Sequence, residues 1–445
     1  MPDVCVIGGG PAGSTFAARM ARLGHNVCLV ERSRFPRTHL GESLSPGVLP
    51  LLETTGARAA VEAAGFLPVR RVHSSWDAGP QVREDPREQG LLVDRGEFDR
   101  ILLDNARAHG VRVVQPARVL GYEYADGKWV ITIGAGGNTS QLRSQFLADA
   151  GGRASGTAKR TGPRTIALYA YWRGNKLPEE PRIEAGADAW YWGVPLPDGT
   201  YNTLVFVDVN HFRDAPAASL NTRFLELLGC SALMSGCSGH ELAGPVQTAD
   251  ASHYLDDQSV SPSMIRVGDA ALAIDPLSSS GVQKAIQSAL AGAIVANTLL
   301  RRPASADAAT SFYRDSLADA SARHCRWAAG HYASVAVQRG GKFWKDRAAG
   351  ASVAPPVSAT SPAARLTLSA QAEFVELPCI ADDFVVWKPA LRHPNLESPV
   401  AYLGGRELAP LLQQLPSAFT PIQLAQSCGG AIAGWLLNNG ILVEA

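Results

Sequence analysis

Gly8-Gly9-Gly10-Pro11-Ala12-Gly13 is the first stretch of the chain whose residue types and spacing bear on chemistry. It fits G-x-G-x-x-G between an apolar run, Val4 to Ile7, and a helical pattern from Gly13 to Leu23. Gly8 permits a tight turn, Gly10 lets the backbone approach a pyrophosphate, and Gly13 lets the helix pack on the strand. Phosphates beside Gly10, Pro11 and Ala12 would meet free backbone N–H groups and the positive end of the helix. Glu31 ends the next apolar run, Val27 to Val30, 18 residues beyond Gly13. A carboxylate there can accept both hydroxyls of a ribose. Strand, turn, helix and acid together predict an adenine dinucleotide, but this spacing does not separate FAD from NAD.

Two further clusters bear on chemistry. Ser278-Ser279-Ser280-Gly281 opens a long helical pattern running to Leu300. Unpaired N–H groups there point at whatever lies above the helix end and favour negative charge; the alternative is serine capping alone. In Trp190-Tyr191-Trp192-Gly193-Val194-Pro195 the two tryptophans alternate, so on a strand they share one face. That face is either a cavity wall or the core of a sheet. Arg70, Arg71 and His73 orient a substrate or form a solvated edge, and Tyr169 and Tyr171 read as structural.

Positioning these residues requires a parallel α/β scaffold. Strand, helix, strand over residues 4–30 is a right-handed parallel unit. Phe98 to His109 predicts a second helix, followed by the strand Val111 to Val114. Val119 to Tyr124 and Lys128 to Ile133 form a hairpin around Asp126-Gly127. Phe146 to Ala150 and Met264 to Val267 are further buried strands. Between them, residues 165–209 are aromatic and alternating, which predicts an antiparallel sheet inserted into the dinucleotide domain.

Residues 350–364 are small, Pro-rich and almost uncharged, and read as a linker. The tail beyond has strand-like Phe374 to Leu377 and Phe384 to Trp387, then a helix over Gly405 to Leu415. Thr420 is placed as the cap of a helix from Ile422, followed by a helix over Ala431 to Leu437, Gly440 and a strand over Ile441 to Val443.

Bulk properties narrow the class. The chain has 445 residues, enough for two or three domains, with 46% apolar and 18% charged residues. Lys plus Arg equals Asp plus Glu at 41 each, so nothing global draws it to nucleic acid or anionic lipid. No apolar run reaches the roughly 18 residues of a membrane span. The opening Met1-Pro2-Asp3 enters the strand at Val4 without a basic region or cleavage site, so no secretory leader is expected. The seven cysteines are scattered, and Cys230 and Cys237 lack metal-ligand spacing. The expectation is a reduced, cytoplasmic enzyme without metal, nucleic acid or membrane.

With these residues in view, the chain resembles the glutathione-reductase-type flavoproteins. Within them it is similar to the group of aromatic hydroxylases, flavin-dependent halogenases and geranylgeranyl reductases. Glu31-Arg32, Phe35-Pro36-Arg37 and Gly41-Glu42-Ser43 resemble the group's path from adenosine to flavin. Asp94-Arg95 with Phe98-Asp99-Arg100 resembles its D-R-x-x-F-D segment, which implies Arg95 near the cofactor. Residues 149–155, Asp-Ala-Gly-Gly-Arg-Ala-Ser, resemble its second FAD signature, and Val267-Gly268-Asp269-Ala270-Ala271 its third. The resemblance implies that Asp269 accepts from a ribityl hydroxyl. It also implies that Pro276, Gly281 and Val282 lie under the isoalloxazine, and that Val119 joins Arg32, Glu42 and Ser43 as a cofactor contact. Ser280 and Gly281 would stabilise charge on the ring during catalysis, and Trp192 would wall the cavity beside it.

The resemblance thus implies an α/β fold with a Rossmann-like FAD-binding domain, an inserted antiparallel β-sheet substrate domain and a small C-terminal winged-helix-like α+β domain. The expected limits are 1–65, 91–164 and 255–349 for the FAD-binding domain and 66–90 with 165–254 for the insertion. The linker is 350–364 and the last domain 365–445. Three chemistries share this scaffold. The tryptophan pair resembles a halogenase W-x-W-x-I-P motif, but residues 66–79, where that resemblance places a catalytic lysine, contain none; arginine cannot exchange a proton near neutral pH as lysine can. Small winged-helix units of this kind bind leader peptides. The expected reaction is therefore FAD-dependent hydroxylation of an electron-rich aromatic ring through a flavin hydroperoxide. The expected substrate is a tryptophan of a partner protein or peptide during quinone cofactor maturation, and the electron donor NAD(P)H or a separate reductase. The alternatives are a small-molecule aromatic hydroxylase or halogenase, a geranylgeranyl-type reductase, or a flavin-bearing adaptor.

Overall fold

Val4–Ile7 is a run of four apolar residues that must be covered on both faces, and it becomes a central strand of a parallel sheet. The protein is described here by a computed structural model covering residues 1–84, 90–154, 158–212, 219–349 and 365–444. Residues 85–89 of the expected insertion, Ser155 and the expected linker 350–364 lie outside the described residues. Val4–Ile7 pairs in parallel with Val27–Val30 on one side and Phe146–Asp149 on the other. Arg112–Val114 extends the sheet at one edge, and Met264–Arg266 with Val260–Ser261 at the other.

The helix after the glycine turn spans Pro11–Arg22, two residues ahead of the expected start. Proline has no N–H to lose and its fixed φ suits the first helical position. The helix Arg95–Ala108 also starts ahead of its apolar periodicity, because Asp94 caps it by accepting from the Glu97 N–H at 2.7 Å. The expected hairpin forms from Arg118–Ala125 and Lys128–Ala135, with Asp126 and Gly127 both at positive φ. A third strand, Asn138–Ser144, lies at its edge. Being polar and mostly exposed, it lacks the alternation that would reveal it.

The inserted sheet has the order 241–242, 165–173, 201–208, 189–195, 182–185, 71–75, 80–84, with 247–250 also pairing to 165–173. Its pairs are antiparallel except 71–75 with 182–185. Alternation divides its aromatics between two faces. Trp190, Phe206, Leu204 and Tyr169 pack with Trp76, Tyr332 and Trp344, while Trp172, Tyr191, Tyr201 and Val205 pack with Phe224 and Leu228. The Trp344 indole N–H donates to the Ala187 carbonyl at 2.8 Å, which ties the helix Lys342–Ala348 to the sheet. The 34-residue helix Ala306–Arg339 carries no stripe of apolar residues at one helical spacing, and periodicity does not predict it.

Contacts divide the chain into two units, 1–300 with 313–352 and 301–312 with 353–445. In the second unit Leu366–Leu368 pairs antiparallel with Leu442–Glu444, and Glu373–Ala381 with Phe384–Arg392. The helix expected over 405–415 is shorter, Leu408–Gln413. Gly404 and Gly405 at positive φ instead make a tight turn between Tyr402–Leu403 and Arg406–Glu407. Thr420 caps Pro421–Cys428, with Gln423 closing a reciprocal capping box. Leu366, Leu391, Leu408, Phe419, Leu424 and Leu436 form this unit's core. Among the described residues no helix is long and apolar enough to cross a membrane.

Thr420→Ala removes an oxygen that satisfies a helix-end N–H. It should cost the second unit about 1 kcal/mol, read as faster hydrogen exchange at the amides of residues 421–428.

Candidate functional site

One cavity of about 740 Å³ begins at the glycine turn and ends against the inserted sheet. Gly8, Gly10, Pro11, Ala12, Glu31, Arg32 and Val119 line one end. Trp190, Trp192, Leu204, Phe206, Ala167 and Ile183 line the other. Between them lie Glu42, Ser43, Arg95, Asp269, Pro276, Gly281 and Val282. The structure thus brings nearly every predicted site residue to one cavity, of a size ordinary for a cofactor and its substrate.

Gly13 and Ser280 are placed elsewhere. A Cβ on Gly13 would stand 1.9 Å from the Gly8 carbonyl oxygen, so this residue serves helix–turn contact and does not line the cavity. Ser280 turns its hydroxyl back to donate to the Ser278 carbonyl at 3.0 Å. Its neighbour Ser279, in the left-handed region, lines the cavity instead.

The turn is tight where the pyrophosphate would lie. Gly8 has φ +96, and a Cβ there would come 2.5 Å from the Ala150 carbonyl oxygen. Glu31 is buried against it, accepting from the Gly9 N–H at 2.6 Å and the Ser33 N–H at 2.7 Å. Farther along, Arg95 bonds Asp99 at 3.1 Å and donates to the carbonyls of Leu40 and Gly41 at 2.9 and 3.3 Å. It holds the loop that carries Glu42. Burial, then the positive charge of Arg95, pushes the His39 imidazole beside it down to about 4.

Buried charge at the helix end is paired. Asp269 takes Lys284 Nζ at 2.7 Å on Oδ1 and Arg153 Nε at 3.2 Å on Oδ2. Burial works to raise this carboxyl, but Lys284 and Arg153 outweigh it and hold it below the ordinary range. Lys284 also donates to the Leu272 carbonyl. The Lys284–Asp269 pair is not evident from residue types alone. A lysine three residues inside a largely buried helix that carries no other charge before Arg301 was the available signal. Asp275 caps the turn before the helix by accepting from the Leu277 N–H at 2.9 Å. It also accepts from the Tyr332 hydroxyl at 2.9 Å.

Glu42 accepts from the Tyr171 hydroxyl at 2.6 Å, Asn202 Nδ2 at 3.2 Å and the Gly41 N–H at 2.9 Å. Burial pushes its carboxyl up. The described lining of the cavity holds no lysine, and the first lysine of the chain is Lys128. Arg71 and His73 lie off the lining and bind Glu180 at 2.8 and 2.5 Å.

Residues 1–170 match the family model described as an FAD binding domain. With the geometry above, this gives the chain an FAD-binding domain with FAD as its cofactor, and the chain is similar to proteins of the flavin-dependent monooxygenase and halogenase group. The tryptophan 2-halogenase of Chondromyces crocatus is 34% identical over 336 residues, covering 70% of this chain, and the chain spans 64% of that protein's length. The solved peptidyl tryptophan dihydroxylase QhpG, essential for tryptophylquinone cofactor biogenesis, superposes with a TM-score of 0.78 at 28% identity, over 99% of both chains. The flavin-dependent halogenase CmlS, at 22% identity, shares the fold with a TM-score of 0.82 over 100% of this chain and 96% of its own.

Gly13→Ala forces a methyl group onto the Gly8 backbone and opens the turn. The purified variant should bind FAD about tenfold more weakly or worse, read from the ratio of flavin to protein absorbance.

Proposed function

We propose that this protein is an FAD-dependent monooxygenase that hydroxylates an electron-rich aromatic ring, a tryptophan carried by a protein or peptide substrate during quinone cofactor maturation. The observation that carries this reading is the aromatic-walled cavity, continuous with the glycine turn and without a lysine in its described lining. Supporting it is the likeness to the peptidyl tryptophan dihydroxylase over the full length of both chains.

When bound and reduced, FAD supplies the activation of dioxygen that delivers one oxygen atom to the ring. The chain's own residues bind, orient and exclude water. Gly8, Gly10 and the first helical N–H groups hold the pyrophosphate, Glu31 the ribose, and Asp269 a hydroxyl of the ribityl chain. Trp190, Trp192, Leu204 and Phe206 shape an apolar slot that keeps an indole dry and near the reacting end of the cavity. The free N–H groups that open the helix Gly281–Arg301 favour negative charge beside them. Electrons come from NAD(P)H or a separate reductase. The second folded unit, with its own core, serves to recruit the protein substrate.

A second reading, halogenation of a small aromatic molecule, is favoured by the 34% identity to the tryptophan 2-halogenase. The two differ in product. After anaerobic reduction of the holoenzyme, dioxygen is admitted with chloride or bromide and either a tryptophan-bearing protein substrate or free L-tryptophan. Mass spectrometry should show one or two added oxygen atoms on the protein tryptophan and no halogen. Halogen on either substrate would overturn the hydroxylase reading.

A further inference from the structure

One face of the helix Gly281–Arg301 grips a single turn of chain. Ser288 Oγ accepts from the Gly268 N–H at 2.9 Å. One helical turn earlier, Lys284 Nζ donates to Asp269 Oδ1 at 2.7 Å and to the Leu272 carbonyl. On its other side Gly268, at φ +66, lies against the helix Pro11–Arg22, where a Cβ would come 2.6 Å from the Ala12 Cβ. Residues 268–272 are thus held between the helix of the glycine turn and the helix beyond. Within that turn Asp269 alone lines the cavity, and its side chain stays 33% exposed there although both oxygens already meet cations.

Lys284 is a costly residue at this place. It is 8% exposed, and burial pulls its ammonium below the ordinary lysine range. An apolar side chain of similar volume serves a buried helix as well or better, so packing does not account for a charge here. The account lies in what the ammonium does to its partner. Burial raises the Asp269 carboxyl, and Lys284 is the largest influence against it, followed by Arg153. A charged acceptor makes a stronger hydrogen bond to a hydroxyl than a neutral one.

We propose that Lys284 is a positioning residue for the cofactor: it holds the Asp269 carboxylate, in direction and in charge, for a hydroxyl of the ribityl chain of FAD. The assignment rests on the placement of Asp269 at that chain and is independent of whether the product is hydroxylated or halogenated. The other charged and titratable groups around the pair come from three segments. Arg153, in the turn after the strand Phe146–Asp149, faces Asp269 and also Asp250. His253, ahead of the strand Tyr254–Leu255, and His324, on the helix Ala306–Arg339, face Lys284. Burial pulls both imidazoles down, His253 to about 4. Without the Lys284 charge the Asp269 carboxyl moves up. Its ionised form, present above that point, is then lost as pH falls through it, and FAD affinity falls with it.

The test measures the dissociation constant of FAD for the full chain by fluorescence titration between about pH 8 and about pH 5. Wild type is compared with Lys284→Met, Lys284→Gln, Asp269→Asn and the double variant Lys284→Met with Asp269→Asn. Lys284→Met should weaken FAD about tenfold at the acid end and less at the alkaline end. Lys284→Gln, which keeps a donor but no charge, should show the same acid loss. Asp269→Asn should weaken FAD by a factor that does not change with pH, and in that background Lys284→Met should add no pH dependence. A Lys284→Met penalty that is absent, or equal at every pH, marks a structural residue and overturns the assignment. So does an acid loss that persists in the Asp269→Asn background, since Lys284 then acts through another group. Should neither single Lys284 variant fold, the ratio of the wild-type and Asp269→Asn constants decides. It should stay level across the window, and a ratio closing towards one as pH falls overturns the assignment. Unchanged affinity in Asp269→Asn removes the ribityl placement of Asp269 and the Lys284 assignment with it. The reading as a hydroxylase stands or falls separately, on the mass of the product.

Discussion

Backbone against backbone at the glycine turn is the contact on which the site depends. Gly13 lies against the Gly8 carbonyl and Gly8 against the Ala150 carbonyl, each closer than any side chain allows. These approaches bring the ends of two parallel strands and the start of a helix to one point. There the helix N–H groups face outward, where phosphate oxygens can take them. The Glu31 carboxylate, bonded to the Gly9 N–H, ties the end of a third strand to the same turn. The cavity has its depth because these elements converge without side chains between them.

Electrostatics along the cavity follows from burial. Asp269 sits where helix and loop meet and is matched by two cations, one of them rising from inside the helix Gly281–Arg301. Arg95 is matched by Asp99 and two loop carbonyls. Such pairs register one element on another, because breaking them leaves a buried charge unpaired. Glu42, between the two ends of the cavity, accepts from the Tyr171 hydroxyl and Asn202 Nδ2 of the inserted sheet and from the Gly41 N–H of its own loop.

Much of the site was legible because it is local. The glycine spacing, the acid after the second strand and the alternating tryptophans are all set within short segments. Each segment's chemistry is carried by its own backbone geometry. The capped helix at Thr420 was legible for the same reason, since the capping box lies within four residues. Less legible were elements whose residues lack periodicity. The polar edge strand Asn138–Ser144 is stabilised by pairing and not by an apolar face, and the helix Ala306–Arg339 carries no single apolar stripe.

By itself the sequence determined the dinucleotide turn, the parallel scaffold around it and the single face shared by Trp190 and Trp192, because backbone sterics and side-chain periodicity act over a few residues. Only the tertiary structure decided that Lys284 meets Asp269, that Ser279 and not Ser280 lines the cavity, and that Tyr171 and Asn202 aim Glu42. Those outcomes depend on segments as much as 160 residues apart meeting at hydrogen-bond distance. That is a matter of how the inserted sheet packs, which no local pattern encodes.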